Sequence, residues 1–380
     1  MFDPHSLDEA RAAIARRVHA ERELLEDLRS DVRTLLSPSH VIRPHSATAV
    51  SFAASEGATN RLVFDPFSVQ LVRIVDSQGR QRFLEVISPR TDPDTLSERH
   101  HEAEDSLHVL MTDLGVERLS ELSSVIPSGQ KLREQPDDVS STWPRDYREI
   151  AEWAVLYDRI KSSDWASDTL IVHNGLLRSK IFRDDLFVRM GSLMWGAIEA
   201  HRRNNLHIFV AGIAKRSGVL ARYRLALALE GALPAAAARY VQVPRDIERK
   251  VYKWVEFARG PLDQEADPQG ERAKFVIGSM FLVRFGPERH DPVWAIDLLQ
   301  WQQPEAAEIF GYLLQDAIEG FPLPFYPRCL QRAHEYAEAV DFDVDVMQDT
   351  ITDATRELVE DEKREVFDGL ALVPNASTRA

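Results

Sequence analysis

The sequence predicts a mixed α/β protein: an antiparallel meander, then parallel βα units, with a long helix before them and a helical part after. Three observations predict it. Strand-like runs at 48–54, 62–75 and 82–87 follow one another with short turns between them. Apolar runs at 168–173 and 206–213 then alternate with helical patterns at 144–161, 183–203 and 217–231. Strand–helix–strand alternation implies parallel pairing. Finally, Leu7, Ala10, Ile14, Val18, Leu24, Leu25, Leu28 and Val32 recur at helical spacing, which predicts one long helix over 7–36.

The remaining elements follow in order. Pro38 and Pro44 bracket a linker. The turn Asp76-Ser77-Gln78-Gly79 separates the second and third strands. A helix is expected over 94–115, and 127–145 reads as a long loop. Residues 233–271 are irregular, with a helix expected at 245–257. Strands are expected at 274–285 and 293–298, helices at 304–319 and 330–339, and a charged helix at 343–365. This divides the chain into an N-terminal helix and linker (1–44), a core (45–345) and a C-terminal helix with a frayed tail (346–380).

Composition narrows the function classes. No run of 18 apolar residues predicts a membrane span. The N-terminus lacks the apolar stretch of a signal peptide, and the single cysteine, Cys329, excludes an intrachain disulfide or a cysteine zinc cluster. A cytoplasmic protein is expected. The formal net charge of −15 argues against whole-surface attraction to nucleic acid. DNA would need a local basic patch, for which Arg202-Arg203 and Lys215-Arg216, with Arg222 and Arg224, are the candidates.

The common nucleotide, hydrolase and zincin motifs are absent: no GxxxxGK[ST], GxSxG, HExxH or strand-linked GxGxxG occurs. Four stretches carry chemistry instead. Glu56-Gly57 stands at the expected end of the first strand, where glycine lets a carboxylate lean toward a cation. Glu149 and Glu152 lie on the helix 144–161. In His173-Asn174-Gly175, at the end of the strand 168–173, the Asn174 carbonyl is a weak ligand for Mg²⁺ or Mn²⁺. Last, Tyr326-Pro327 precedes a helix carrying His334. Each alone has a plainer reading as a turn, a solvated carboxylate or a structural histidine.

Taken in order, the four stretches resemble the NurA nuclease family. The matching pieces are Glu56-Gly57-Ala58, Asn174-Gly175-Leu176-Leu177, the VAGIAKRS stretch at 210–217, and YPRCLQRAHEYA at 326–337. The resemblance spans about residues 45–345. It implies a ribonuclease-H-like core, a Mn²⁺- or Mg²⁺-dependent DNA nuclease acting in repair or anti-phage defence, and a homodimer that docks on a HerA-like hexameric ATPase. It places Glu56, Asn174 and Glu152 (or Glu149) on metal-ligand positions. Tyr326 and His334 fall at the phosphate or leaving group, and Lys215 near the scissile backbone. Two departures stand out. Glu56 replaces an aspartate and Asn174 replaces another, the second removing a charge on which divalent-ion affinity depends. The alternative is therefore a weakened or inactive adaptor that dimerises and binds the ATPase and DNA.

Overall fold

The computed structural model describes residues 3–35, 39–45, 50–64, 67–252, 275–338 and 341–371. Its strands are β1 (His40–Val41), β2 (Ser51–Phe64), β3 (Phe67–Asp76), β4 (Gln81–Ile87), β5 (Thr169–Asn174), β6 (Ile208–Ala214), β7 (Arg239–Gln242), β8 (Gly278–Arg284) and β9 (Val293–Leu299). The helices up to β5 are α1 (Pro4–Ala20), α2 (Arg22–Arg33), α3 (Pro93–Ala103), α4 (Ser106–Leu114), α5 (Leu119–Leu122), α6 (Gly129–Glu134) and α7 (Trp143–Ser162). Those after it are α8 (Leu186–Arg203), α9 (Gly218–Glu230), α10 (Arg245–Val251), α11 (Ala306–Ile318), α12 (Arg328–Ala337), α13 (Asp341–Glu357) and α14 (Arg364–Ala371).

Among the described residues, all nine strands join one mixed sheet, in the order β1-β7-β8-β9-β6-β5-β2-β3-β4. Its right half is the expected meander: β2, β3 and β4 pair antiparallel in succession. β2 then pairs parallel with β5, and β5 parallel with β6. Three antiparallel strands followed by two parallel ones, with the first strand central, is the order of a ribonuclease-H-like core. β9, β8, β7 and β1 extend the sheet antiparallel beyond β6.

Alternation of side chains along each strand separates two faces. Ala53, Ile171 and Val210 point into a core shared with α4, α7 and α8. Ala54, Val172, Ala211 and Ile213 point into a second core under α11 and α12. A third cluster joins α2, α9 and α10 to β8 and β9. The apolar pattern of each crossover helix thus has a sheet face to bury, which stabilises by roughly 25 cal/mol per Å² of apolar surface.

Several elements differ from their sequence-based expectation. The helix 7–36 is two helices, broken at Glu21, where ψ is 17°. Only α2 has a packing surface: Val32 is buried, and Arg29 and Arg33 pair with Glu230 on α9. Ile14 and Val18 of α1 stay exposed. The expected strand 62–75 is the far half of β2 plus β3, paired antiparallel as far as Phe64↔Phe67. Residues 94–115 form α3 and α4, because Glu104 is left-handed and the Asp105 side chain caps the amides of Leu107 and His108. The expected loop 127–145 holds α6, and the segment read as irregular from 233 holds a strand, β7. The helix expected at 245–257 is present as α10, Arg245–Val251, and residues 253–271 lie outside the described residues. The expected helix 343–365 ends at Glu357, and α14 follows.

Candidate functional site

β2 is longer than its parallel neighbour. β5 pairs with it only from Ser51↔Thr169 to Ser55↔His173. β5 then ends at Asn174, and Gly175 turns the chain away at φ 133°, a conformation closed to other residues without strain. A notch therefore opens beside the middle of β2, directly at Glu56. This corrects the expectation that Glu56 ends its strand: the strand continues, and it is the neighbour that stops.

Each side of the notch contributes side chains. Glu56 follows Ala54 by two residues and so faces α12. Its Oε1 lies 2.7 Å from His334 Nδ1, and the other ring nitrogen of His334 is 3.2 Å from Glu338. Burial raises the Glu56 pKa, against the attraction of His334, Lys215 and Arg148. Asn174, two residues after Val172, faces the same way one strand over. Lys215, just past β6, holds its ammonium 5.4 Å from the ring centre of Tyr326, a cation–π distance. Tyr326 is fully buried, and its hydroxyl has no hydrogen-bond partner. Burial and the nearby Glu56 charge raise its pKa, so it remains a proton donor.

Glu152 reaches the notch from the opposite face, on α7. Its carboxyl packs so closely on Gly57 that a Cβ there would lie 2.1 Å from Oε1. Burial pushes its pKa up to about 8, reinforced by Glu149 and Glu56 and opposed by Arg148. Arg148 stands one helical turn before it, with Nε 3.5 Å from Glu152 Oε1 and Nη1 donating to the Gly57 carbonyl at 3.2 Å. Glu149, the other carboxylate considered, is instead tied to Ser179, 2.6 Å away in the loop after β5.

The notch thus brings together Glu56, Asn174, Glu152, Lys215, Tyr326 and His334, with Arg216 exposed beside Lys215. It does not include Arg202 and Arg203. These end α8, which precedes β6, whereas Lys215 follows it. The length of β6 separates them, about 20 Å at 3.3 Å per residue. Arg202 pairs there with Glu199 and Glu305. The two candidate basic stretches are thus separate: the antiparallel run of α8 against β6 puts them at opposite ends of the strand, and only Lys215-Arg216 lies beside the notch.

Sequence reasoning missed Arg148 and Glu338. Each stands four residues from a charged partner on its own helix, Glu152 and His334, and this spacing was the available signal.

The fit to a divalent cation can be tested on these donors. Among the described residues, no three of His, Cys, Asp or Glu gather as a metal-holding group. Oε1 of Glu56 is engaged by His334. Glu152 approaches from the other face of the sheet, keeps a proton up to about pH 8, and has a guanidinium beside it. Asn174 brings no charge. The expected ligand trio of Glu56, Glu152 and Asn174 therefore does not fit a divalent ion in this arrangement. What the notch offers is a set of cations and proton donors (Lys215, Arg148, His334, Tyr326) around two carboxyls, an arrangement that can hold a phosphodiester oxygen and shift a proton.

Comparison with known proteins gives structural likeness only. No protein-family model matches the chain, and no curated protein matches it. Among solved structures, the chain is similar to the NurA nuclease from Sulfolobus solfataricus, with 12% identity, a TM-score of 0.43, and coverage of 94% of this chain and 99% of that one. A second NurA structure matches at 13% identity and a TM-score of 0.38, covering 90% of this chain and 97% of that one. A structure of NurA with manganese matches at 11% and 0.38, covering 92% and 99%. Among the described residues, no helix is long and apolar enough to cross a membrane.

Proposed function

We propose that the chain is a NurA-type protein that engages DNA ends together with a HerA-like hexameric ATPase, in DNA repair or anti-phage defence. In this reading its notch grips the phosphodiester backbone without hydrolysing it. One observation carries the reading: the residues singled out by the order of the sequence motifs, spread from Glu56 to His334, meet at the single place where β5 stops beside β2. Lys215 and Arg148 supply backbone attraction, and Tyr326 a donor. The neutral Asn174 and the protonated Glu152 support the absence of hydrolysis, because divalent ions in phosphoryl transfer depend on ligand charge.

A second reading is Mn²⁺- or Mg²⁺-dependent hydrolysis, the ordinary activity that the family resemblance implies. The retained Glu56–His334 pair and the unpartnered Tyr326 hydroxyl favour it. In that reading Glu152 must first lose its proton and Glu56 must release His334. A homodimer is part of the proposal in both cases. The exposed apolar residues of α1, Ile14 and Val18, support it, and sedimentation of the full chain measures it.

One set of assays decides among these readings. Fluorescence anisotropy on duplex DNA should show salt-dependent binding, weakened several-fold by Lys215→Ala. Linear DNA with Mn²⁺ or Mg²⁺ should remain intact, with or without the ATPase, while the double variant Glu56→Asp, Asn174→Asp gains cleavage. Cleavage by the unmodified protein that His334→Ala abolishes would establish the second reading. Absence of DNA binding at low salt would refute both. Failure to co-purify with a HerA-like ATPase would refute the partnership.

A further inference from the structure

A second polar site lies at the other end of the β2/β5 pair, on the α7 face. On β2 it spans Ser51 to Ala53, three to five residues before Glu56, or about 10–16 Å along the strand. The last turn of α7, the α7–β5 connection, the start of β2 and the β3–β4 turn enclose a cavity of about 330 Å³.

Arg159 forms its inner wall. The residue is 8% exposed, yet its Nε and Nη1 have no hydrogen-bond partner. Its guanidinium lies 5.4 Å from the ring centre of Trp165. The Trp165 indole N–H, also buried, has no partner either. Arg80 and Arg82 line the same cavity. A buried charge with unpaired donors is costly, by several kcal/mol in general. The carboxylate at hand does not relieve it. Asp76 is occupied: Oδ1 accepts the amides of Gln78 and Arg80, and Oδ2 is bound by Arg82 at 2.7 and 2.8 Å. Asp164 sits at the exposed rim. Hydroxyls complete the lining. Ser77 accepts the Ala54 amide at 3.3 Å, which leaves its own proton to donate.

We propose that this cavity binds a phosphate group, held by the guanidinium of Arg159 with Arg80 and Arg82, the Ser77 hydroxyl and the Trp165 N–H. The planar forks of arginine match phosphate oxygens two at a time, and an anion there gives partners to the unpaired donors of Arg159 and Trp165. Electrostatics agree. Burial, with repulsion from Arg82 and Arg80 and only partial relief from Asp76, pulls Arg159 down to about 10, and the attraction of a bound anion opposes that depression.

The group can arrive free, as phosphate or a mononucleotide, or as the 5′-phosphate of a DNA end. Calorimetric titration of the full chain separates the sources, with inorganic phosphate, a 5′-mononucleotide, and hairpin oligonucleotides with and without a 5′-phosphate as probes. Phosphate should bind the unmodified protein and raise its melting temperature. Arg159→Met should weaken binding at least tenfold, Arg80→Ala, at the exposed turn, several-fold, and Arg11→Ala, on α1, not at all. Tighter binding of the phosphorylated hairpin, lost in Arg159→Met, identifies a DNA end. Equal binding of the two hairpins beside Arg159-dependent phosphate binding identifies a free ligand. Phosphate affinity unchanged in both Arg159→Met and Arg80→Ala overturns the site.

Discussion

Two buried arginines in this molecule have opposite surroundings. Arg178, in the loop after β5, is closed in by acids: its Nε and Nη2 meet Asp297 at 2.9 and 2.8 Å, and Nη1 meets Glu248 at 3.2 Å. Arg245 reaches the same Glu248 at 3.1 Å, and the Arg178 guanidinium stacks on Tyr252. Arg159, on α7, has no such partners for Nε and Nη1. Burial lowers the pKa of both, but for Arg178 the two carboxylates reverse the effect and raise it, while Arg159 falls to about 10. A paired buried charge fastens structure, here the loop that carries the Asn174–Gly175 corner. An unpaired one is built for something that arrives.

The largest expected effect breaks the first half of that contrast. Arg178→Met leaves Asp297 and Glu248 with one cation fewer in the interior, so unfolding free energy should fall by about 3–5 kcal/mol. Urea denaturation measures it. A loss below about 1 kcal/mol would mean that the network is incidental to the loop.

The notch lies between these extremes, since Glu152 has a cation beside it and still keeps a proton. Its pKa of about 8 is above the unfolded value of 4.5. The folded state therefore binds the extra proton between these pH values, and stability falls as pH rises through that window. The contribution is fully present below about pH 4.5 and lost above about pH 8. The fall should be roughly 2–4 kcal/mol, and Glu152→Gln should flatten most of it. Melting curves from pH 5 to 9 test this, and an equally steep fall in the variant would assign the slope to other groups.

Gly57→Ala probes the same contact by shape. The added Cβ would meet Glu152 Oε1 at 2.1 Å, so a loss of about 1–3 kcal/mol is expected. In a Glu152→Ala background the penalty should largely vanish, and the double-mutant cycle should return a coupling above about 0.5 kcal/mol. Additive effects would show that the crowding is not between these two residues.

What was legible in the sequence follows the same division. Asn174, Lys215 and Tyr326 stand at or beside strand ends and a helix start that apolar runs locate, whereas Glu56 lies inside β2 and His334 in the last turn of α12; it was the order of these residues along the chain that carried the site. The meander and the βα units were legible because buried strands and amphipathic crossover helices have different periods. The break at Glu21 was not, because no Pro or Gly marks it and only packing of α2 on α9 separates the two halves. The long β2 was not, because its far half is paired only with β3 and alternates less clearly. Arg148 and Arg159 were not, since an arginine on a helix of 20 residues reads as solvated until the opposing surface is known. Pairing, or its lack, is a property of the assembled interior.

The smallest expected effect tests that last property most directly. Arg159→Met removes two unsatisfied buried donors and one cation–π contact while keeping most of the side-chain volume. Unsatisfied buried groups cost about 1–3 kcal/mol each and a cation–π contact returns about 0.5–2, so the variant should be unchanged or more stable by about 1 kcal/mol without ligand. Denaturation in phosphate-free buffer measures this. A loss of 2 kcal/mol or more would show that Arg159 is already satisfied by the protein, placing it with Arg178 among the structural arginines. A gain without phosphate that becomes a deficit in its presence is the signature of a residue retained for what it binds.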